Sequence, residues 1–140
     1  MPQLDPYLIF DGNCAEAMRF YEKTLGGKIA MMMKHGDAPA PEAAKMPPAQ
    51  TDRILHARLD LDGRMLMASD AMAGQPYEGI KNSWVSLIYP DRQAASKAFD
   101  AMKDGGKVTM PFGDTFWADG FGMLTDRFGV SWMFNGPAKM

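Results

Sequence analysis

One cysteine, Cys14, and two histidines, His35 and His56, are the chain's whole stock of thiol and imidazole. A lone thiol excludes an internal disulfide and agrees with a reducing compartment. The two imidazoles have no i, i+4 or similar spacing, so no metal-ligand motif can be read from them. Neither sign of charge is in excess: 15 Lys and Arg face 17 Asp and Glu, a net −2 without a basic face, which makes nucleic acid a poor partner. No apolar run approaches the ~18 residues needed to span a bilayer, and Met1 to Asp5 lacks the basic and apolar regions of a secretory leader. The expectation is a cytoplasmic protein with no membrane partner. Nucleophile elbows, phosphate-cradling loops and dinucleotide fingerprints are missing too. Gly120-Phe121-Gly122 is only a fragment of the last, without its third glycine or a following helix.

What is present is a repeat. Phe20-Tyr21-Glu22-Lys23-Thr24-Leu25-Gly26-Gly27-Lys28-Ile29 returns in outline as Phe99-Asp100-Ala101-Met102-Lys103-Asp104-Gly105-Gly106-Lys107-Val108, a constant 79 residues later. The same offset pairs Leu8 with Leu87, Ile9 with Ile88, Phe10 with Tyr89 and Met31 with Met110. A long spacing present only twice points to a duplicated half-domain, because solenoid units are shorter and more numerous. Any site is then expected where the halves face each other. At 46% hydrophobic and 23% charged, the composition is that of a globular domain. Fourteen methionines supply either adaptable core or accommodating apolar surface.

Local patterns divide each copy into βαβββ. Tyr7 to Phe10 reads as a strand closed by the turn Asp11-Gly12-Asn13, and Asn13 with Glu16 resembles a capping box. Cys14, Ala17, Met18, Tyr21 and Leu25 follow helical spacing over about 14–25, and Gly26-Gly27 stops the helix. Lys28 to Lys34 is a strand. His35 to Asp52, rich in Ala and Pro, is a long loop and a possible lid, with His35 solvated. Arg53 to Leu61 alternates, with Leu55, Ala57, Leu59 and Leu61 on one face and His56, Arg58 and Asp60 on the other. Asp62-Gly63 then turns the chain back into Arg64 to Ser69. The second copy comprises a strand over 84–89, an Asp91-capped helix over about 92–103 with Ala95, Ala98, Phe99 and Met102 inward, and strands over 107–110, 115–125 and 130–135. The two modules cover about 1–70 and 84–140, with 71–83 as connector.

These modules, with Leu-Gly-Gly at the end of the helix and Leu124-Thr125-Asp126-Arg127-Phe128-Gly129-Val130-Ser131-Trp132 near the close, resemble the vicinal oxygen chelate superfamily of glyoxalases, extradiol dioxygenases and bleomycin- and fosfomycin-resistance proteins. Pro6 to Cys14, His56-Ala57-Arg58-Leu59, Leu66-Met67-Ala68-Ser69-Asp70 and Thr115-Phe116-Trp117 look like its PhnB-like branch, often labelled 3-demethylubiquinone 3-methyltransferase-like. The resemblance implies an α+β fold in which tandem βαβββ modules form curved mixed sheets around a cleft. It also implies a small-molecule ligand and a homodimer. Its enzymes hold a divalent metal with His, Glu or Gln from the first and fourth strands of each module. Those positions fall here on Pro6, Met67, Trp84 or Val85, and Met133, none of which suits a hard cation. No metal and no other cofactor is therefore expected, and the methyltransferase label finds no cofactor-binding pattern.

If Pro6 faces the cleft, alternation brings Leu8 and Phe10 with it, pairs Met67 with Ser69, Trp84 with Ser86 and Met133 with Ser131, and leaves Trp117 and Phe121 on an adjacent strand. The candidate ligand-binding set is Phe10, His56, Arg58, Met67, Ser69, Trp84, Ser86, Trp117, Phe121 and Met133. Such a lining suits a flat or hydrophobic small molecule, or else fills a collapsed cleft as ordinary core. His56 is the best catalytic candidate, as general base or ligand donor, unless it belongs to a polar ladder with Arg58 and Asp60. Cys14 is expected to be buried. The leading reading is a metal-free, glyoxalase-like binder, which could act by sequestering its ligand. Its rivals are a divalent-metal-dependent lyase, isomerase or dioxygenase with displaced ligands, a metal-free enzyme using His56 as base, and an interaction-only dimer.

Overall fold

The repeat takes shape as two four-stranded mixed sheets of one topology in a computed structural model, which describes residues 1–139. The chain divides into two units, Met1–Gly79 and the residues from Ile80 onward. In the first, β1 (Tyr7–Phe10), β2 (Lys28–Lys34), β3 (Ile54–Leu61) and β4 (Arg64–Asp70) lie in the order β1-β4-β3-β2. β1 runs parallel to β4 and the other neighbours are antiparallel. α1 (Cys14–Leu25) connects β1 to β2 and buries Cys14, Ala17, Met18 and Tyr21 over Leu8, Phe10, Ala57, Leu59, Leu66 and Ala68. One face of the sheet is thus core, and the other carries no helix. Between β2 and β3, where an irregular loop is expected, the chain forms a 3-10 turn at His35–Asp37, the one-turn α2 (Ala40–Ala43) and a second 3-10 turn at Pro48–Gln50. His35, expected to be solvated, is buried, and its amide donates to the Arg53 carbonyl.

The second unit repeats this order with β5 (Trp84–Ile88), α3 (Arg92–Met102), β6 (Lys107–Gly113), β7 (Phe121–Thr125) and β8 (Ser131–Asn135), arranged β5-β8-β7-β6. α3 buries Ala95, Ala98, Phe99 and Met102, as its periodicity requires, against a core holding Trp132, Phe134 and Leu124. β7 is shorter than expected. Residues 115–120 form a turn in which the Thr115 hydroxyl accepts from the Ala118 amide.

Packing explains the repeated Gly-Gly. Gly26 ends α1 in the left-handed region at φ 78°, where a side chain would be strained, and Gly105 has φ 74°. Gly27 and Gly106 are needed for a different reason. A Cβ on Gly27 would sit 2.6 Å from the Asp60 carbonyl oxygen, and one on Gly106 would sit 2.5 Å from that of Thr125. Each pair therefore stops a helix and lets the chain cross closely over its own sheet.

Two local expectations are corrected. Asn13 makes no side-chain capping bond at φ −111° and ψ 21°, so the capping box does not form. The buried Asp70 carboxylate, at the end of β4, does this work instead: one oxygen accepts from the Gly12 amide at 2.9 Å and the Cys14 amide at 3.0 Å, and the other from the Ile54 amide at 2.8 Å. Leu55, expected inward, is 38% exposed, while Ile54 is buried. An irregularity where Met33 pairs with His56 and Lys34 with Ile54 adds one residue to β3 and reverses the facing beyond it.

The start of α1 yields two predictions. Asp70→Ala leaves three backbone donors without an acceptor and is expected to cost about 3 kcal/mol in urea unfolding, whereas Asn13→Ala is expected to stay within about 0.5 kcal/mol. Equal losses would mean that Asn13 caps the helix after all. Burial, reinforced by the Asp70 charge, pushes the Cys14 thiol up from 9.0 to about 12. In the folded chain it is therefore protonated at pH 8 and is expected to resist a thiol-specific disulfide reagent until denaturant is added. The unfolded chain gives up that proton near pH 9 and the native chain only near 12, so between these values the unfolded state binds fewer protons and stability falls as pH rises. Rapid labelling of native protein would refute this.

Candidate functional site

The helix-free face of the first sheet follows from register. Across it, Tyr7 of β1 pairs with Met67 of β4, Met67 with Arg58 of β3, and Arg58 with Met31 of β2. One step along each strand pair, Ile9 pairs with Ser69 and His56 with Met33. Register partners project to one side of a sheet, so these residues share a face. His56, Arg58, Met67 and Ser69 of the expected set are thereby brought together. Phe10 is not: it is fully buried with Leu8 on the opposite face. Alternation begun at Pro6 has the wrong parity for β1, and the strand turns Tyr7 and Ile9 outward instead.

Tyr7 is the residue of this face that sequence reasoning missed. Its hydroxyl lies 3.1 Å from His56 Nδ1, and the two rings stack with centroids 5.6 Å apart at 25°. Because β4 separates β1 from β3, the rings meet above β4, over Met67 and Ser69. Ser69 is only 9% exposed although it belongs to the helix-free face. Arg58, on the same face, is exposed and has no hydrogen-bond or ion-pair partner among the described residues. Asp60 accepts from the Gly63 amide at 2.9 Å, and no hydrogen bond or ion pair links it to Arg58 among the described residues, so the polar ladder through the two does not form. The segment after β4 folds back onto this unit: the Ala71 amide donates to the Phe10 carbonyl, the Ala73 amide to Gln50 Oε1, and the Tyr77 hydroxyl to the Ile9 carbonyl.

The second sheet shows the same logic with different chemistry. Trp84 pairs with Ser131 and Ser131 with Thr125; Ser86 pairs with Met133 and Met133 with Met123; Ile88 pairs with Asn135 and Asn135 with Phe121. Trp84, Ser86, Met133 and Phe121 of the expected set thus share one face. Asn135 donates to Ser86 Oγ and to the Leu87 carbonyl, each at 3.0 Å, and the Thr125 and Ser131 hydroxyls lie 3.0 Å apart. The hydroxyls of this face are largely satisfied among themselves. Trp117 lies in the turn before β7 but reaches Phe121 edge-on at 5.3 Å, and Phe116, 76% exposed, packs on Trp117 at 4.9 Å.

These faces suit a divalent cation poorly. The first and fourth strands of the two sheets present phenol, thioether, indole, hydroxyl and amide groups, where a hard or borderline cation requires carboxylate and imidazole. Among the described residues, no three His, Cys, Asp or Glu side chains gather. Charged groups of the second unit are engaged with one another: Lys139 donates to both oxygens of Asp114, at 2.7 and 2.8 Å, and Arg92 pairs with Asp119 at 3.2 Å. The Lys139 hydrogen bond holds the Asp114 carboxyl below its usual range. Cys14 is buried and protonated, which removes it as a nucleophile.

Residues 3–134 match the model of the glyoxalase/bleomycin resistance protein/dioxygenase superfamily. Protein YjdN of Escherichia coli is 36% identical over 140 residues, spanning 94% of this chain and 93% of its own. The crystal structure of protein PA1353 from Pseudomonas aeruginosa superposes with a TM-score of 0.87 at 47% identity, over 97% of this chain and 98% of that one. A PhnB protein from Bacillus cereus, 21% identical, shares the fold with a TM-score of 0.78 over 97% of this chain and all of its own. No helix among the described residues is long and apolar enough to cross a membrane.

Proposed function

Because the chain belongs to the glyoxalase/bleomycin resistance protein/dioxygenase superfamily, we propose that it uses this fold to bind a small, flat or hydrophobic organic molecule without a divalent metal. The observation that carries the reading is the helix-free face of the first sheet, where Met31, Met33 and Met67 surround a Tyr7–His56 pair. Unbranched thioethers adapt to flat apolar shapes, aromatic rings stack on them, and a few polar groups set orientation. Trp84 and Met133 give the second sheet a similar apolar lining. Retention of the architecture while the positions that correspond to chelating ones, Pro6, Met67, Trp84 or Val85, and Met133, offer neither carboxylate nor imidazole favours binding over metal-assisted chemistry.

Elemental analysis of protein purified without chelator is expected to find no stoichiometric transition metal. The neutral probe 1-naphthamide is expected to bind in titration calorimetry and to keep its affinity after dialysis against EDTA. Met67→Ala should weaken it several-fold through lost contact area. A stoichiometric metal whose removal abolishes binding, or whose return restores a turnover, would overturn the proposal in favour of displaced ligands such as His56.

A further inference from the structure

Resting on that apolar reading, the geometry points to the class of ligand: we propose that the first sheet receives a small apolar carboxylate, with Arg58 and His56 as its two donors. Arg58 is an exposed guanidinium without a partner among the described residues, set in a row between Met31 and Met67. A cation on a thioether surface is poorly satisfied by its own neighbours, and its planar fork matches a carboxylate in two parallel hydrogen bonds. Asp60, two residues along the same strand, accepts from the Gly63 amide and makes no ion pair with Arg58 among the described residues.

His56 precedes Arg58 on the same face of β3, two residues and therefore roughly 7 Å away along the strand. The Tyr7 hydroxyl lies 3.1 Å from Nδ1, and in the proposed arrangement it donates there, which puts the imidazole hydrogen on Nε2. Nε2–H is then a neutral donor beside the Arg58 cation, and Tyr7 is a positioning residue, since it fixes the tautomer and the ring plane. The ring system of the ligand lies over Met31, Met33 and Met67, while its carboxylate meets Arg58 and His56. Neutral flat molecules fit the same floor but leave the guanidinium without a counter-charge, so the face discriminates by charge at nearly constant shape.

The test compares 1-naphthoate with its neutral isostere 1-naphthamide by titration calorimetry of the full chain at low ionic strength. Naphthoate is expected to bind about tenfold more tightly, the scale of one hydrogen bond to a charged group. Arg58→Gln should erase that preference, and Tyr7→Phe should narrow it, each read as the ratio of naphthoate to naphthamide affinity within the variant, with the melting temperature checking that it folds. Equal affinities in the wild-type protein, or a preference that survives Arg58→Gln, would overturn the carboxylate assignment and leave the apolar site standing. Binding of neither probe would overturn both.

Discussion

The Asp70 carboxylate joins three parts of the first unit that are far apart in sequence. Its oxygens take amides from Gly12 and Cys14 at the entry to α1 and from Ile54 at the start of β3, and it stands at the end of β4 beside Phe10 of β1. A buried carboxylate is costly unless its lone pairs are filled, and these three donors fill them. The helix entrance gains an anion where its amides converge. Drawing the Ile54 amide to that point also sets where β3 enters the sheet, and the extra residue in β3 follows beside it.

From that entry the facing of β3 follows. With Ile54 held inward and Leu55 outside, the regular ladder resumes so that Ala57 and Leu59 pack on α1 while His56 and Arg58 project to the opposite side. Had β3 entered one residue earlier or later, its side chains would exchange faces, burying a guanidinium and exposing core. The meeting of Tyr7 with His56 across β4 depends on the same register. The helix-free face is therefore a consequence of how the core is tied, and its polar residues need no scaffold beyond the sheet.

Much of this was legible in the chain. The Gly-Gly repeat, the helical spacing of Cys14, Ala17, Met18 and Tyr21, the left-handed Asp62-Gly63 turn and the Asp91 cap are local signals, and each element they imply is present. What local pattern could not carry was parity over short strands. β1 has four residues, and both Leu8 with Phe10 and Tyr7 with Ile9 are apolar pairs, so alternation alone does not choose the inward one. An anchor at Pro6 chose wrongly for Phe10 and hid Tyr7. Asn13 misled for a related reason: the motif competes with a carboxylate 57 residues later, which only the fold brings close. The parity of His56 and Arg58 was readable because β3 is long and charged on one side.

The two units show how a duplicated scaffold can keep its frame while its faces diverge. Both retain a left-handed glycine followed by one pressed against a carbonyl, because the helix must cross its sheet at the same close distance in each. The helix entrances differ. α3 is capped locally, Asp91 accepting from the Ala94 amide at 2.7 Å, so no carboxylate is needed at the end of β8. There stands Gly136, and a Cβ on it would run into the Asp119 carbonyl. The buried acid of the second unit is Asp126, one turn earlier, which accepts from the Phe128 and Val130 amides and from the Trp132 indole and so fixes the last hairpin. Among the described residues each unit buries one carboxylate, Asp70 in the first and Asp126 in the second, at a different junction. Freed of a shared tie, the faces carry separate chemistry: hydroxyls and an amide that bond one another in the second unit, and in the first a guanidinium and an imidazole set among thioethers.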